Sequence, residues 1–282
     1  MTLIHARFLS ALGLAALVGS GSTTFAQGVT AGSAMPLAAH RAVYDLTLGK
    51  ASGSKAPSSA RGRIAFDFTG SACEGYVMNF RQLTELQPPE GAARVSDMRS
   101  ATFEDGEGKS YRFKVQTLVD ARADEDLDGR ARKLDGGDLS VDMSKPKRAK
   151  IELDKNVLFP TEHLKRIVAA AKGGDKTLEV KVYDGSETGE KVYETLTVIG
   201  REIAAEPTEA AARIDALKSV RRWPVAISYF DAAKKDEAPN YVLSFDLYEN
   251  GISRALKLDY GDFTLAGEMT KLDILPAAKC DK

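Results

Sequence analysis

The 282-residue chain reads as mainly β: an antiparallel fold carrying one or two amphipathic helices. Three observations predict this. Apolar and polar residues alternate with period two over most of the length, turn chemistry separates the alternating runs, and only two segments carry a helical period. A strand with one apolar and one wet face belongs to an antiparallel sheet with one side on a core.

The chain begins with features of an export signal. Met1 to Phe8 carries His5 and Arg7, an apolar stretch runs from Leu9 to Val18, and Thr24-Phe25-Ala26 supplies the small residues of a cleavage site. Residues 1–26 are therefore expected to be a signal peptide, 27–36 a flexible mature N-terminus, and 37–282 a single domain in the periplasm. The apolar run is shorter than the roughly 20 residues that cross a bilayer, and nothing later is apolar for long enough, so no transmembrane segment is expected.

The strands follow in order. Arg41–Leu48, Ile64–Phe68, Tyr76–Leu86, Val95–Phe103 and Tyr111–Val119 alternate, with Tyr111, Phe113 and Val115 opposing Arg112, Lys114 and Gln116. Shorter candidates lie at Ala131–Leu134, Leu139–Met143 and Lys150–Leu153. Beyond them come Leu178–Val182, Val192–Ile203, Val225–Phe230, Leu243–Tyr248, Leu256–Tyr260, Phe263–Leu265 and Thr270–Leu275. Asn250-Gly251 suits a tight hairpin, and Asp184–Gly189 a longer one. About fourteen strands at this spacing make a barrel, a sandwich or an extended curled sheet. One helix is expected over Pro160–Lys172, where Leu164, Ile167, Val168 and Ala171 share a face, Pro160 opens it and Gly173-Gly174 stops it. A second, Ala-rich helix is expected over Thr208–Val220.

Composition narrows the function. The 39 basic and 40 acidic side chains nearly balance, which argues against a nucleic-acid partner. Asp124-Glu125-Asp126-Leu127-Asp128-Gly129, followed by Asp135, has the spacing of a calcium loop. Its last ligand position is Asp and not the longer Glu, and the run before it alternates as a strand. An acidic hairpin turn around Asp128-Gly129 is the better reading, and no metal or other cofactor is assigned. His40 and His163 stand far apart without partners for a zinc or catalytic site, and no Gly-x-Ser-x-Gly elbow is present. No catalytic residue is assigned. Arg221-Arg222-Trp223-Pro224 offers two readings: a small contact patch on Arg222 and Trp223, or a core tryptophan. Cys73 and Cys280 lack a Cys-x-x-Cys spacing and an adjacent histidine, so a structural disulfide is favoured over a reactive thiol in an exported protein.

Several motifs then converge. Tyr111–Thr117, Leu158-Phe159-Pro160-Thr161-Glu162-His163, Val182–Ser186 with Gly189–Tyr193, and Tyr248–Ser253 through Asp259–Phe263 together resemble the EipB family of periplasmic cell-envelope integrity proteins. Cys73-Glu74-Gly75-Tyr76 and Cys280 fall within the same resemblance, which covers essentially the whole mature chain. It implies a long antiparallel β-spiral curling into two partly open barrel-like sheets, a helix near its centre, and a bond between these two cysteines. It further implies a role in maintaining the envelope under stress, with no enzymatic activity to carry over; on that basis the chain is expected to be non-enzymatic and to act by holding a periplasmic protein partner. Two rivals remain: a carrier of lipid or lipoprotein in an open half-barrel, and a hydrolase of envelope polymers with convergent carboxylates.

Overall fold

The structure, a computed structural model, describes residues 36–278 and 280, apart from 55, 154 and 234–237. The expected signal peptide (1–26) and nearly all of the expected flexible N-terminus (27–36) lie outside the described residues.

Among the described residues the first eight strands are β1 (His40–Ala51), β2 (Ser59–Ser71), β3 (Gly75–Gln87), β4 (Arg94–Glu104), β5 (Ser110–Val119), β6 (Arg122–Lys133), β7 (Leu139–Lys145) and β8 (Ala149–Leu153). After the short β9 (Val157–Leu158) comes the helix α1 (Pro160–Gly173). Six more strands complete the sheet: β10 (Thr177–Val182), β11 (Tyr193–Ile199), β12 (Arg222–Asp231), β13 (Tyr241–Tyr248), β14 (Ser253–Asp259) and β15 (Phe263–Ile274).

All fifteen belong to one sheet, ordered β8 back to β1, then β15 back to β9. The first and last strands therefore lie side by side at its middle, and two meandering wings run outward from them. Every pair is antiparallel except β9 with β10, where Lys181 faces Val157 and Val182 faces Leu158. The two barrel-like sheets implied by the family resemblance are here one continuous hydrogen-bonded sheet. Register breaks at Val43/Tyr44, Thr117/Leu118, Asp128/Gly129 and Ser244/Asp246 bend individual strands as bulges do.

Three clusters fill the interior. The first, on β5–β7, gathers Tyr111, Phe113, Leu127, Val141 and Phe159 with Tyr183. The second surrounds the β1–β15 seam, where Tyr44, Leu46, Ile64 and Leu265 meet Ala212 and Leu217. In the third, Ile167, Val168 and Ala171 of α1 pack on Trp223, Val225 and Leu247. The apolar face that the sequence period placed on this helix is thus the face it buries. Gly174 ends it at φ +87, a left-handed position that a side chain would strain, and its N–H bonds the last turn.

Two expectations are corrected. The continuous helix over Thr208–Val220 is instead a 3-10 turn at Ala210–Ala212 and one helical turn, α2 (Asp215–Lys218). Glu209 is drawn into the protein to accept hydrogen bonds from the N–H groups of Met269 (2.8 Å) and Ala255 (3.1 Å). Arg213 donates to the carbonyls of Pro207 and Thr208. Tertiary bonds of this kind override helix propensity. The acidic turn at Asp128-Gly129 lies within β6; the reversal occurs at Asp120-Ala121, both at positive φ. Gly129 faces inward, where a Cβ would meet the Phe113 ring at 2.5 Å and the Met143 sulfur at 2.9 Å. Its role is close packing.

Candidate functional site

Cys73 and Cys280 are bonded, their Cα atoms 5.8 Å apart across a sequence separation of 207 residues. Cys73 sits in the β2–β3 turn and Cys280 beyond the end of β15. Since β1 lies between β2 and β15, the bridge fastens the C-terminal tail across the middle of the sheet. The sheet's outer strands, β8 and β9, are not what it joins.

Helix α1 is held from the other wing. Its N-cap residue, Phe159, offers no side-chain cap, and the buried Glu104 of β4 takes that place. One carboxylate oxygen accepts from the Thr161 N–H at 2.7 Å and the other from the Glu162 N–H at 2.8 Å. A helix N-terminus leaves such donors unpaired and carries partial positive charge, so a carboxylate suits it. Burial nevertheless outweighs these hydrogen bonds and raises the Glu104 pKa above its ordinary value. Lys133 of β6 adds a 2.6 Å ion pair to Glu162, and the Phe159 ring stacks on Tyr111 with centroids 5.1 Å apart.

A second tie holds the segment 201–220 over the β1–β15 seam. Buried Arg254 pairs with Glu209 and Asp246 and donates to Thr208 Oγ1 at 2.9 Å. Arg222 joins this network, its Nε 3.6 Å from Asp246 and its guanidinium bonded to the Ala205 carbonyl. Trp223 is 3% exposed in the third core cluster. The structure thus buries both Arg222 and Trp223, and the contact patch read from the sequence becomes a core tryptophan beside a buried ionic network.

Between these ties, part of the inward face stays open. Phe80, Met98, Leu243 and Leu258 point inward yet are only half-buried. Beside them Tyr229 and Tyr241 stack with centroids 4.5 Å apart, and Tyr193 meets Tyr229 edge-on at 5.8 Å. Tyr260, 39% exposed, interacts with Gln82 of β3 and stacks on Phe263. Burial pushes the phenols of Tyr229 and Tyr241 far above their ordinary pKa; Asp184 adds to both shifts, and Tyr229 raises Tyr241 further while the hydrogen bond with Tyr241 partly offsets the shift of Tyr229.

Three carboxylates stand near this phenolic row. Burial raises the pKa of Asp184, though its Oδ1 accepts from the Ser186 N–H at 3.0 Å. Burial likewise raises Glu125, against a 3.1 Å hydrogen bond from Thr117. Glu187 goes the other way. Burial pushes it up, but hydrogen bonds from Lys191 and Tyr193 outweigh that and lower it. The arrangement brings apolar side chains, phenolic hydroxyls and acids of opposite proton preference together on the inward side of the sheet.

The two histidines do not converge. His40 bonds the Ala38 carbonyl at 2.7 Å and lies against Phe66 and Phe68. His163 is buried in α1 with no partner for Nε2 among the described residues, and burial lowers its pKa to about 4. Asp126 and Asp128 of the calcium-like motif sit two residues apart on β6, and Asp126 is 2.7 Å from Lys145. An extended strand replaces the loop that calcium coordination would require.

The sequence model of the EipB-like family matches residues 31–276. A relative from Brucella abortus (strain 2308), a cell envelope integrity protein, is 39% identical over 270 residues, covering 94% of this chain and 95% of the relative. This chain belongs to the EipB-like family. A solved structure of a beta-barrel-like protein from Brucella abortus is also 39% identical, with a TM-score of 0.80 over 86% of this chain and 100% of that one. The EipB-like fold is thus what this chain's fifteen-stranded sheet represents.

Sequence reasoning had missed the half-open phenolic row. Tyr229 belonged to a run read as an ordinary strand and Tyr241 lay two residues ahead of the next one, and alternation gives the face of a residue but not whether anything covers it. Asp184 lay in a motif valued for its turn. Nothing marked Glu104, whose partners are 57 and 58 residues away.

Proposed function

We propose that this protein is a non-enzymatic periplasmic component that maintains the cell envelope, and that it does so by holding an extended segment of a partner protein along the concave phenolic strip. The relative's role supports the envelope assignment. The observation that carries the binding reading is the half-buried inward row of Phe80, Met98, Tyr229, Tyr241 and Leu243. Elsewhere α1 and the segment 201–220 close the interior, so this row is apolar area left for another molecule. Aromatic side chains that pair an apolar body with a hydroxyl suit such contacts.

The same row would also accept an acyl chain, the carrier alternative. One experiment separates them. A photo-crosslinking residue at position 241, in the protein expressed in its own cell, should capture a discrete protein, while solvent extraction of detergent-free protein should release no stoichiometric lipid. Met98→Trp should fill the strip and abolish rescue of envelope resistance in a deletion strain at unchanged protein level. Full rescue by Met98→Trp, or stoichiometric lipid without a protein adduct, would refute the partner reading.

A further inference from the structure

The outward face of β3–β6 has a charge pattern that the fold does not need. Arg81 of β3 is directly opposite Arg99 of β4, and Arg112 of β5 directly opposite Arg130 of β6. Like charges at opposed positions destabilise a sheet. Asp97 relieves the first pair, lying 2.9 Å from Arg81 and 2.7 Å from Arg99, and its pKa falls to about 2. The second pair shares no such carboxylate: Asp142 of β7 is directly opposite Arg130, but its ion pair is with Arg132 at 3.1 Å. Among the described residues Arg112, Lys114 and Arg130 have no ion-pair partner within 4.0 Å; Asp128 faces Lys114 across the ladder without reaching it.

These cations surround small side chains. Ala101 pairs with Lys114 on one side and Asn79 on the other, between Arg99 and Phe103 along its own strand. Two depressions, of about 570 Å³ and about 540 Å³, meet there, sharing Ala101 and Lys114. The Arg112 guanidinium lies over the Phe103 ring at 5.7 Å. The same two strands, β3 and β4, also expose aliphatic side chains: Val77 (37%), Leu83 (41%) and Val95 (37%).

Cations in excess, set among exposed aliphatic groups on one broad face, complement an anionic lipid surface. Long Arg and Lys stems lie along apolar surface while their heads reach phosphates, and short aliphatic groups enter the boundary between headgroups and acyl chains. We propose that the outer face of β3–β6 docks this protein peripherally on a membrane leaflet rich in phosphate-bearing anionic lipid, with Arg112, Lys114 and Arg130 as the principal contacts. This face lies opposite the phenolic strip, so docking leaves the strip open to its occupant. Docking and strip binding stand or fall separately.

Flotation of the mature protein with vesicles tests it. Binding is expected to vesicles of phosphatidylcholine with phosphatidylglycerol, not to phosphatidylcholine alone, and to weaken steeply with added sodium chloride. Each Lys or Arg near an anionic surface contributes about 1 kcal/mol, so Arg112→Gln with Lys114→Gln should weaken binding roughly 30-fold. These are exposed strand positions, and because Arg112 faces Arg130 the pair of substitutions should not lower the melting temperature. Lys257→Gln on the other wing should bind as the parent does. Equal binding to both vesicles, no binding to either, or a double variant as avid as the parent would overturn the proposal. So would release by inorganic phosphate but not by chloride of equal ionic strength, which marks a discrete anion site.

Discussion

Replacing Glu104 by alanine would remove the side chain by which β4 caps the start of α1. The Thr161 and Glu162 N–H groups, bonded to its carboxylate at 2.7 and 2.8 Å, would lose their acceptors. An unmade buried hydrogen bond costs about 1–3 kcal/mol, so the pair amounts to roughly 2–6 kcal/mol. At about 2–4 °C per kcal/mol for a domain of this size, melting should fall by roughly 10 °C. Glu104→Gln keeps one acceptor and should lie between. The pH dependence has a definite sign. Burial raises the folded pKa, so the folded state binds the extra proton between the unfolded and folded values. The contribution of this group is therefore fully present below the unfolded pKa and is lost as pH rises through the folded one. Glu104→Gln should lack that decline. Calorimetry across acid to neutral pH, with amide exchange at Thr161 and Glu162, measures both effects. An alanine variant melting with the parent, its two amides still protected, would refute the assignment of Glu104 as the helix anchor.

Two other outcomes follow from the ties around the sheet. Cys73→Ser opens a cross-link spanning 207 residues, for which the chain-entropy estimate is on the order of 5 kcal/mol as an upper bound. Its melting temperature should drop by several degrees, as should that of the reduced parent; identical melting with and without reductant would contradict this. Glu209→Ala leaves buried Arg254 with one carboxylate fewer and removes the acceptor of two backbone N–H groups. Breaking a buried ion pair costs about 3–5 kcal/mol, and limited proteolysis should cut within 201–220 before the sheet unfolds. Cleavage no faster than in the parent would show that the segment is held by its apolar contacts alone.

Local sequence determined the strands because alternation, turns and helix caps act between near neighbours. Tyr111–Val119 carries its face assignment in its own spacing, and Pro160 and Gly174 bound α1 by backbone geometry alone. The two cysteines and the export-like leader indicated a bridge without saying what it would join. Only the tertiary structure decided that β1 and β15 meet at the centre of one sheet, so that the bond staples the tail there. Only the tertiary structure turned Thr208–Val220 into two short turns, through a carboxylate whose acceptor bonds lie 46 and 60 residues away. It also decided that the inward row at Tyr229 and Tyr241 stays partly open while the equally apolar row at Val225 and Leu247 is covered by α1. Alternation sets which side a residue faces; what lies against that side depends on strand order and on side chains distant in the chain, and no local period records either.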